Sequence, residues 1–219
     1  MKNKNLLNII ISGAITLIFI VFTMLIKVVD VAPIGPNGSS VGLSKINNYV
    51  FNSIPSNSIW DKICDIILAL ALLIALYFAV LGFVQMIKRK SILKLDSEIS
   101  STAILYVMMI ASFVLFEIIK LNYRPVLVDG ILEASYPSTH TLLVATILSS
   151  TIFNLKYLIK NKSIRTILTA LLVVLISITV VGRLLAGVHW LTDVIGGLLL
   201  SAILISWFFT IKTKITSKI

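Results

Sequence analysis

Twenty-one residues from Leu6 to Ile26 carry no charge, and neither do the twenty-two from Ile66 to Ile87. About 20 apolar residues in a helix span the hydrocarbon core of a bilayer. Lipid offers the backbone no water to bond, so only helices and closed barrels cross it. Four further apolar stretches follow, at about Thr102–Ile119, His140–Leu155 and Thr166–Gly182, and from near His189 through Asp193 to Ile211. The expected fold is therefore all-α: a polytopic membrane protein, a six-transmembrane-helix bundle, with residues 1–219 as one domain. Composition agrees, since 13% of residues are charged where soluble domains average about 25%. The fourth and fifth stretches are short for a full crossing, so their edges are set only to within a few residues.

The start of the chain, Met1 to Asn5, is basic and precedes the first apolar run. That run is longer than the ~7–15 residues of a secretory core, and no small-residue cleavage site follows, so it reads as a retained span. Six spans place both termini on one side. That side holds Lys2, Lys4, Lys88, Arg89, Lys90, Lys94, Lys156, Lys160, Lys162, Arg165, Lys212, Lys214 and Lys218, thirteen cations. The other holds six: Lys27, Lys45, Lys62, Lys120, Arg124 and Arg183. The positive-inside rule makes the richer side cytoplasmic. A plasma-membrane protein with cytoplasmic termini is expected. The net charge of +10 then reflects topology and contact with membrane lipids, and no nucleic-acid partner is implied.

Asp30 to Asp65 is the longest non-apolar piece and is rich in turn residues, as in Pro33-Ile34-Gly35-Pro36-Asn37-Gly38. Within it Leu43, Ile46, Tyr49 and Val50 share a helical spacing, which predicts a short helix on the surface. Cys64 is the only cysteine, so an intrachain disulfide is excluded and the redox compartment is open. No internal repeat of the kind found in transporters is visible.

Three segments of the poorer side carry chemistry. The last is Gly182-Arg183-Leu184-Leu185-Ala186-Gly187-Val188-His189-Trp190-Leu191-Thr192-Asp193. Ionisable groups at a membrane boundary are costly and usually functional. His189 and Asp193 are four apart, so on a helix they share a face. The carboxylate can then fix the ring's tautomer and leave the other nitrogen free to attack. Arg183 supplies a cationic fork suited to phosphate. The plain alternative is an arginine at a helix end and a His–Asp pair that caps the next helix. The second segment is Tyr136-Pro137-Ser138-Thr139-His140. Ser138 or Thr139 can cap the fourth span, whose N-terminus offers free N–H groups and a positive dipole end to an anion. Its plain alternative is a serine cap beside an incidental histidine. The chain has only two histidines, and both fall at outer starts of spans, which favours function. The first segment, Lys120-Leu121-Asn122-Tyr123-Arg124-Pro125, gains weight only from that company.

Together these segments resemble the type 2 phosphatidic acid phosphatase family, whose catalytic core is shared with the vanadium haloperoxidases. Its motifs run Lys-x6-Arg-Pro, then Pro-Ser-Gly-His, then Ser-Arg-x5-His-x3-Asp. The third matches here except that Gly182 replaces Ser, and the second except that Thr139 replaces Gly. The first keeps Arg124-Pro125, but Glu117 stands at the Lys position, with Lys120 one turn on. The resemblance covers about residues 102–211. It implies a phosphohistidine mechanism: His189 as nucleophile, Asp193 orienting it, His140 as general acid. Arg124, Arg183, Ser138, Thr139, the N–H groups of the fourth span and Lys120 would hold the phosphoryl oxygens. No cofactor is implied, and no cluster has metal-ligand spacing. Glu117 is expected to pair with Lys120 or Arg124, the alternative being that it repels extra substrate charge.

The leading reading is a membrane phosphatase acting at the outer face on a lipid phosphate or diphosphate, of the undecaprenyl diphosphate, phosphatidylglycerol phosphate or phosphatidic acid type. A non-catalytic anionic-lipid binder or transporter would use the same pocket without turnover. A purely structural membrane protein would not bring Arg124, His140, Arg183, His189 and Asp193 together. Oligomeric state is not encoded in these features.

Overall fold

The computed structural model describes the backbone of residues 2–216 and the side chains of residues 6–215. Lys218 and the side chains of Lys2 and Lys4, which enter the charge count above, lie outside the described residues. The helices are α1 (Lys2–Val28), α2 (Ser44–Ser53), α3 (Ile59–Arg89), α4 (Ser97–Ile119), α5 (Thr139–Leu158), α6 (Lys162–Leu185) and α7 (Leu191–Thr216). All but α2 are long and apolar enough to cross a membrane, which makes six such helices among the described residues. Besides short 3-10 turns at Pro36–Gly38 and Ile92–Lys94, the described residues form only isolated β-bridges. The all-α, multi-pass expectation holds.

Helix edges run past the apolar edges because Lys and Arg stems can lie along a helix while their heads reach water. The fourth and fifth predicted spans grow to helices of 20 and 24 residues. The larger correction is at α3, which begins at Ile59 rather than Ile66. Asp61, Lys62, Cys64 and Asp65 therefore occupy its first two turns and not a loop. An acidic residue in the first turn, here Asp61, meets the positive end of the helix dipole. Ile59, Ile63 and Ile67 already carry the helical spacing.

Two helices form the centre. The apolar window of α5 is 61% buried and that of α7 50%, against 11–22% for the other four. Outside them, apolar side chains such as Leu17, Leu73, Val107 and Ile167 face outward, as lipid contact requires. Small polar groups stitch the interior: Thr146 donates to Ser201 at 3.1 Å and Asn154 to Thr102 at 2.8 Å. Such bonds hold helices together where no hydrophobic force acts between them.

The bundle has two distinct ends. At one, Arg89 pairs with Asp96 at 2.7 Å and Lys212 with Glu98 at 3.4 Å. The other gathers the C-termini of α4 and α6 and the N-termini of α3, α5 and α7. The segment after α1 covers part of this end. Its short helix forms as the spacing predicts, with Ile46 and Tyr49 exposed. Asn47, on the opposite face, is buried against α7.

Candidate active site

The three motif segments are tied to one another directly. Trp190 Nε1 donates to the Tyr123 carbonyl at 2.8 Å, which joins the third segment to the first. The Ser138 N–H donates to the Asp193 carbonyl at 2.9 Å, which joins the second to the third. Tyr123 forms a β-bridge with Ala134, so the strand-like approach to α5 lies beside the start of the first segment's Arg124. Close packing needs glycine here: a Cβ at Gly197 would lie 2.9 Å from the Ser138 carbonyl oxygen.

Ser138 is the N-cap of α5, as predicted. It is fully buried, and its hydroxyl accepts from the Thr141 hydroxyl at 3.1 Å and from the Thr141 N–H at 3.5 Å. His140 falls in the first turn. Thr139 is the first helical residue and is half-buried.

The His189–Asp193 pair forms, but not on a helix. α7 starts at Leu191, so His189 sits in the connection after α6 and reaches Asp193 from outside the first turn. His189 Nδ1 is 3.4 Å from Asp193 Oδ2. Oδ2 also accepts the Trp190 N–H at 2.9 Å, an Asp bond to the orphan donors of a helix start. His189 is 4% exposed and Asp193 fully buried. Neither ring nitrogen of His189 makes a hydrogen bond of normal geometry, and nor does Asp193 Oδ1. Ser135 and Asn122 lie against that carboxylate, and Ser135 Oγ and Asn122 Nδ2 are likewise unsatisfied. Burial is the main cause that holds the His189 ring well below its ordinary pKa. The charges of Arg183, then Arg124, then His140 add to the effect.

Arg183 is buried to 1% and pairs with Asp61. Arg124 pairs with Glu133 at 3.1 Å, and His140 Nε2 contacts Asp65 Oδ1 at 2.8 Å. All eight predicted residues thus lie at one end of the bundle, and seven of them are buried or half-buried there. The structural-protein reading, which required that they stay apart, fails. Lys120 is the exception: it stands exposed at the left-handed C-cap of α4, and no ion pair joins it to the others among the described residues.

The expected pairing of Glu117 does not form. Arg124 turns instead to Glu133, whose carbonyl also accepts the Arg124 N–H at 3.0 Å. Glu117 is exposed and lines a small cleft with Phe116, Ser135 and Thr139. Two departures from the family motifs, Glu117 and Thr139, therefore face the same cleft. Sequence reasoning also missed Asp61, Asp65 and Glu133, because the first two fall in the non-apolar piece ahead of the second apolar run and Glu133 lies between the first and second motif segments. The four-residue spacing of Asp61 and Asp65 ahead of an apolar run was the available signal.

The family model for the PAP2 superfamily matches residues 66–217. The chain belongs to the PAP2 superfamily. A crystal structure described as the first transmembrane PAP2 type phosphatidylglycerolphosphate phosphatase, from Bacillus subtilis, is similar in fold with a TM-score of 0.61. It shares 18% identity, over 95% of this chain and 96% of that one. No curated protein sequence matches the chain. Superfamily membership and shared fold together support a multi-pass membrane phosphatase scaffold for this chain.

Proposed function

We propose that this protein is a membrane phosphatase that removes a phosphoryl group from a lipid phosphate through a phosphohistidine intermediate. The observation that carries the reading is the buried His189 ring, 3.4 Å from Asp193, at the end of the bundle where burial and then Arg183 and Arg124 lower its pKa. With Asp193 Oδ2 facing Nδ1, the proton belongs on Nδ1 and the lone pair on Nε2. A ring kept neutral by its surroundings is a competent nucleophile. Arg183 and Arg124 gather the phosphoryl oxygens, and Ser138 with the N–H groups that open α5 completes the cradle. Phosphoryl transfer asks chiefly for such positioning and charge stabilisation. His140, in the same first turn, donates the proton to the departing oxygen.

The site lies at the ends of spanning helices, so lipid tails can stay in hydrocarbon while the headgroup reaches the cations. Among the described residues, ten of the thirteen cations counted above lie toward the opposite end. The positive-inside rule therefore puts the site on the extracytoplasmic face, with both termini in the cytoplasm.

The test uses purified full-length protein in detergent micelles with a panel of lipid phosphates and no added divalent metal. Release of inorganic phosphate is expected, and its loss in His189→Ala. An acid-labile phosphoenzyme should be trapped with radiolabelled substrate in the wild type only. A protein that binds these lipids but releases no phosphate is a binder or transporter, and the catalytic reading fails.

A further inference from the structure

Every cation and imidazole of the site faces a carboxylate. His189 faces Asp193, Arg124 faces Glu133, Arg183 faces Asp61 and His140 faces Asp65. Only Asp193 belongs to the motifs. Asp61 and Asp65 lie one turn apart on α3, so one helix delivers both carboxylates. Their side chains are 39% and 61% exposed, while Arg183 beneath is 1% exposed. The carboxylates thus stand at the mouth and the cation at the floor. α3 comes this close because residue 182 is glycine: a Cβ there would lie 2.8 Å from Cys64 Sγ, on the turn between the two aspartates. This end of the bundle also carries Asp30, Glu117 and Asp129. Its seven carboxylates therefore outnumber its six lysines and arginines by one.

We propose that Asp61 and Asp65 make the site selective for lipid phosphomonoesters and reject lipid diphosphates. The proposal rests on the phosphatase reading above and names its substrate class. In a monoester, His189 Nε2 bonds to phosphorus and the bond from phosphorus to the ester oxygen breaks. The electron pair stays on that oxygen, which takes its proton from His140 and leaves as a neutral alcohol. Water then splits the phosphohistidine to inorganic phosphate. In a diphosphate the same step expels a lipid monophosphate, an anion, and His140 places it beside Asp65. Like charges brought together in a poorly screened site repel. One phosphate can replace Asp61 on Arg183 and Glu133 on Arg124. The second phosphate of a diphosphate would find both guanidinium groups engaged and would face Asp65. Specificity by such repulsion is a recognised device.

The experiment compares a monophosphate and a diphosphate built on the same lipid tail, in mixed micelles, by kcat/KM for phosphate release. Wild type should favour the monophosphate by about tenfold or more. Asp65→Asn and the double variant Asp61→Asn/Asp65→Asn should cut that ratio by about tenfold, whatever happens to the absolute rates. A wild type that prefers the diphosphate, or a ratio that the variants leave unchanged, overturns the proposal. Should the variants not fold, the wild type alone decides: orthophosphate must inhibit it more strongly than pyrophosphate, and the reverse order overturns the proposal. No release from either substrate sinks the phosphatase reading itself, whereas release that depends on His189 with an unaltered ratio sinks only the selectivity.

Discussion

Asn47 and Thr192 hold each other twice: the Asn47 amide donates to the Thr192 hydroxyl at 2.9 Å, and its carbonyl accepts the Thr192 N–H at 3.1 Å. The same amide donates to the Gly42 carbonyl at 2.9 Å. Thr192 sits in the first turn of α7, next to Asp193. The segment after α1 thus caps the helix that carries Asp193, from outside that helix. It is linked to the first motif as well, since Asn122 accepts the Gly42 N–H at 3.3 Å.

Asn47→Ala is expected to lower stability by about 2–3 kcal/mol, because it leaves a buried N–H and a buried carbonyl without partners. It should also cut kcat by about tenfold or more, through small misplacement of the dyad, with KM changed less. Steady-state kinetics and thermal unfolding in detergent check both. A variant with lowered stability and unchanged kcat would show that the cap supports the fold without positioning the site.

The depressed pKa of His189 fixes the direction of a pH effect. A free histidine titrates near ~6.5, but burial and the charges of Arg183 and Arg124 keep this ring neutral below that value. The nucleophile therefore stays active as pH falls through ~6.5. The rate of phosphoenzyme formation in single turnovers should lose activity only below that point. Stability follows the same sign. Between the folded and unfolded values the unfolded chain binds more protons, so this contribution is present above ~6.5 and drains away as pH falls below it. A limb at or above the free-histidine value would count against the buried, neutral ring.

The spans were legible because lipid imposes a long uncharged run on each, and the motif residues because histidine, arginine and aspartate are rare there. The partners of those residues were not. Asp61 and Asp65 follow a polar stretch and read as loop, since nothing local says where a helix begins when its first turns are half polar. Glu133 reaches Arg124 only through the bridge of Tyr123 with Ala134, a tertiary relation. Asn47 and Thr192 are 145 positions apart, and one asparagine among the three of a surface helix carries no sign of its partner. The His189–Asp193 spacing pointed to the right contact through the wrong geometry, because the helix starts between them.

At the opposite end, Asp96 accepts from Arg89 at 2.7 Å, from Tyr157 at 2.6 Å and from Gln85 at 2.9 Å. These bonds, the Arg89 bond first, hold its carboxyl below the usual range. Asp96→Ala should cost about 1–2 kcal/mol, since charged hydrogen bonds are worth more than neutral ones and this site is partly exposed. Because the folded pKa is depressed, the contribution is present above about 3.9 and disappears as pH falls through the folded value. Thermal midpoints of wild type and variant should differ at neutral pH and converge in acid, with phosphate release at neutral pH unaffected.

Gly182 offers the sharpest test of how α3 is seated, because the related motif has serine at that position. On an exposed helix, Gly→Ser would gain about 0.5 kcal/mol in propensity. Here the new Cβ would lie 2.8 Å from Cys64 Sγ and 3.5 Å from the Trp60 ring, both on α3, and overpacking typically costs about 1–3 kcal/mol. The clash outweighs the gain in propensity, so Gly182→Ser should destabilise the protein. It should also ease α3 away from α6 and loosen the contact of Asp61 with Arg183. Removing the obstructing sulfur should undo this: Gly182→Ser/Cys64→Ala should recover most of the lost stability, although Cys64→Ala alone opens a void and destabilises. Unfolding measurements on the two single variants and the double form a cycle whose coupling must be favourable. Simple additivity would mean that α3 and α6 are not in the close contact on which the seating of Asp61 depends.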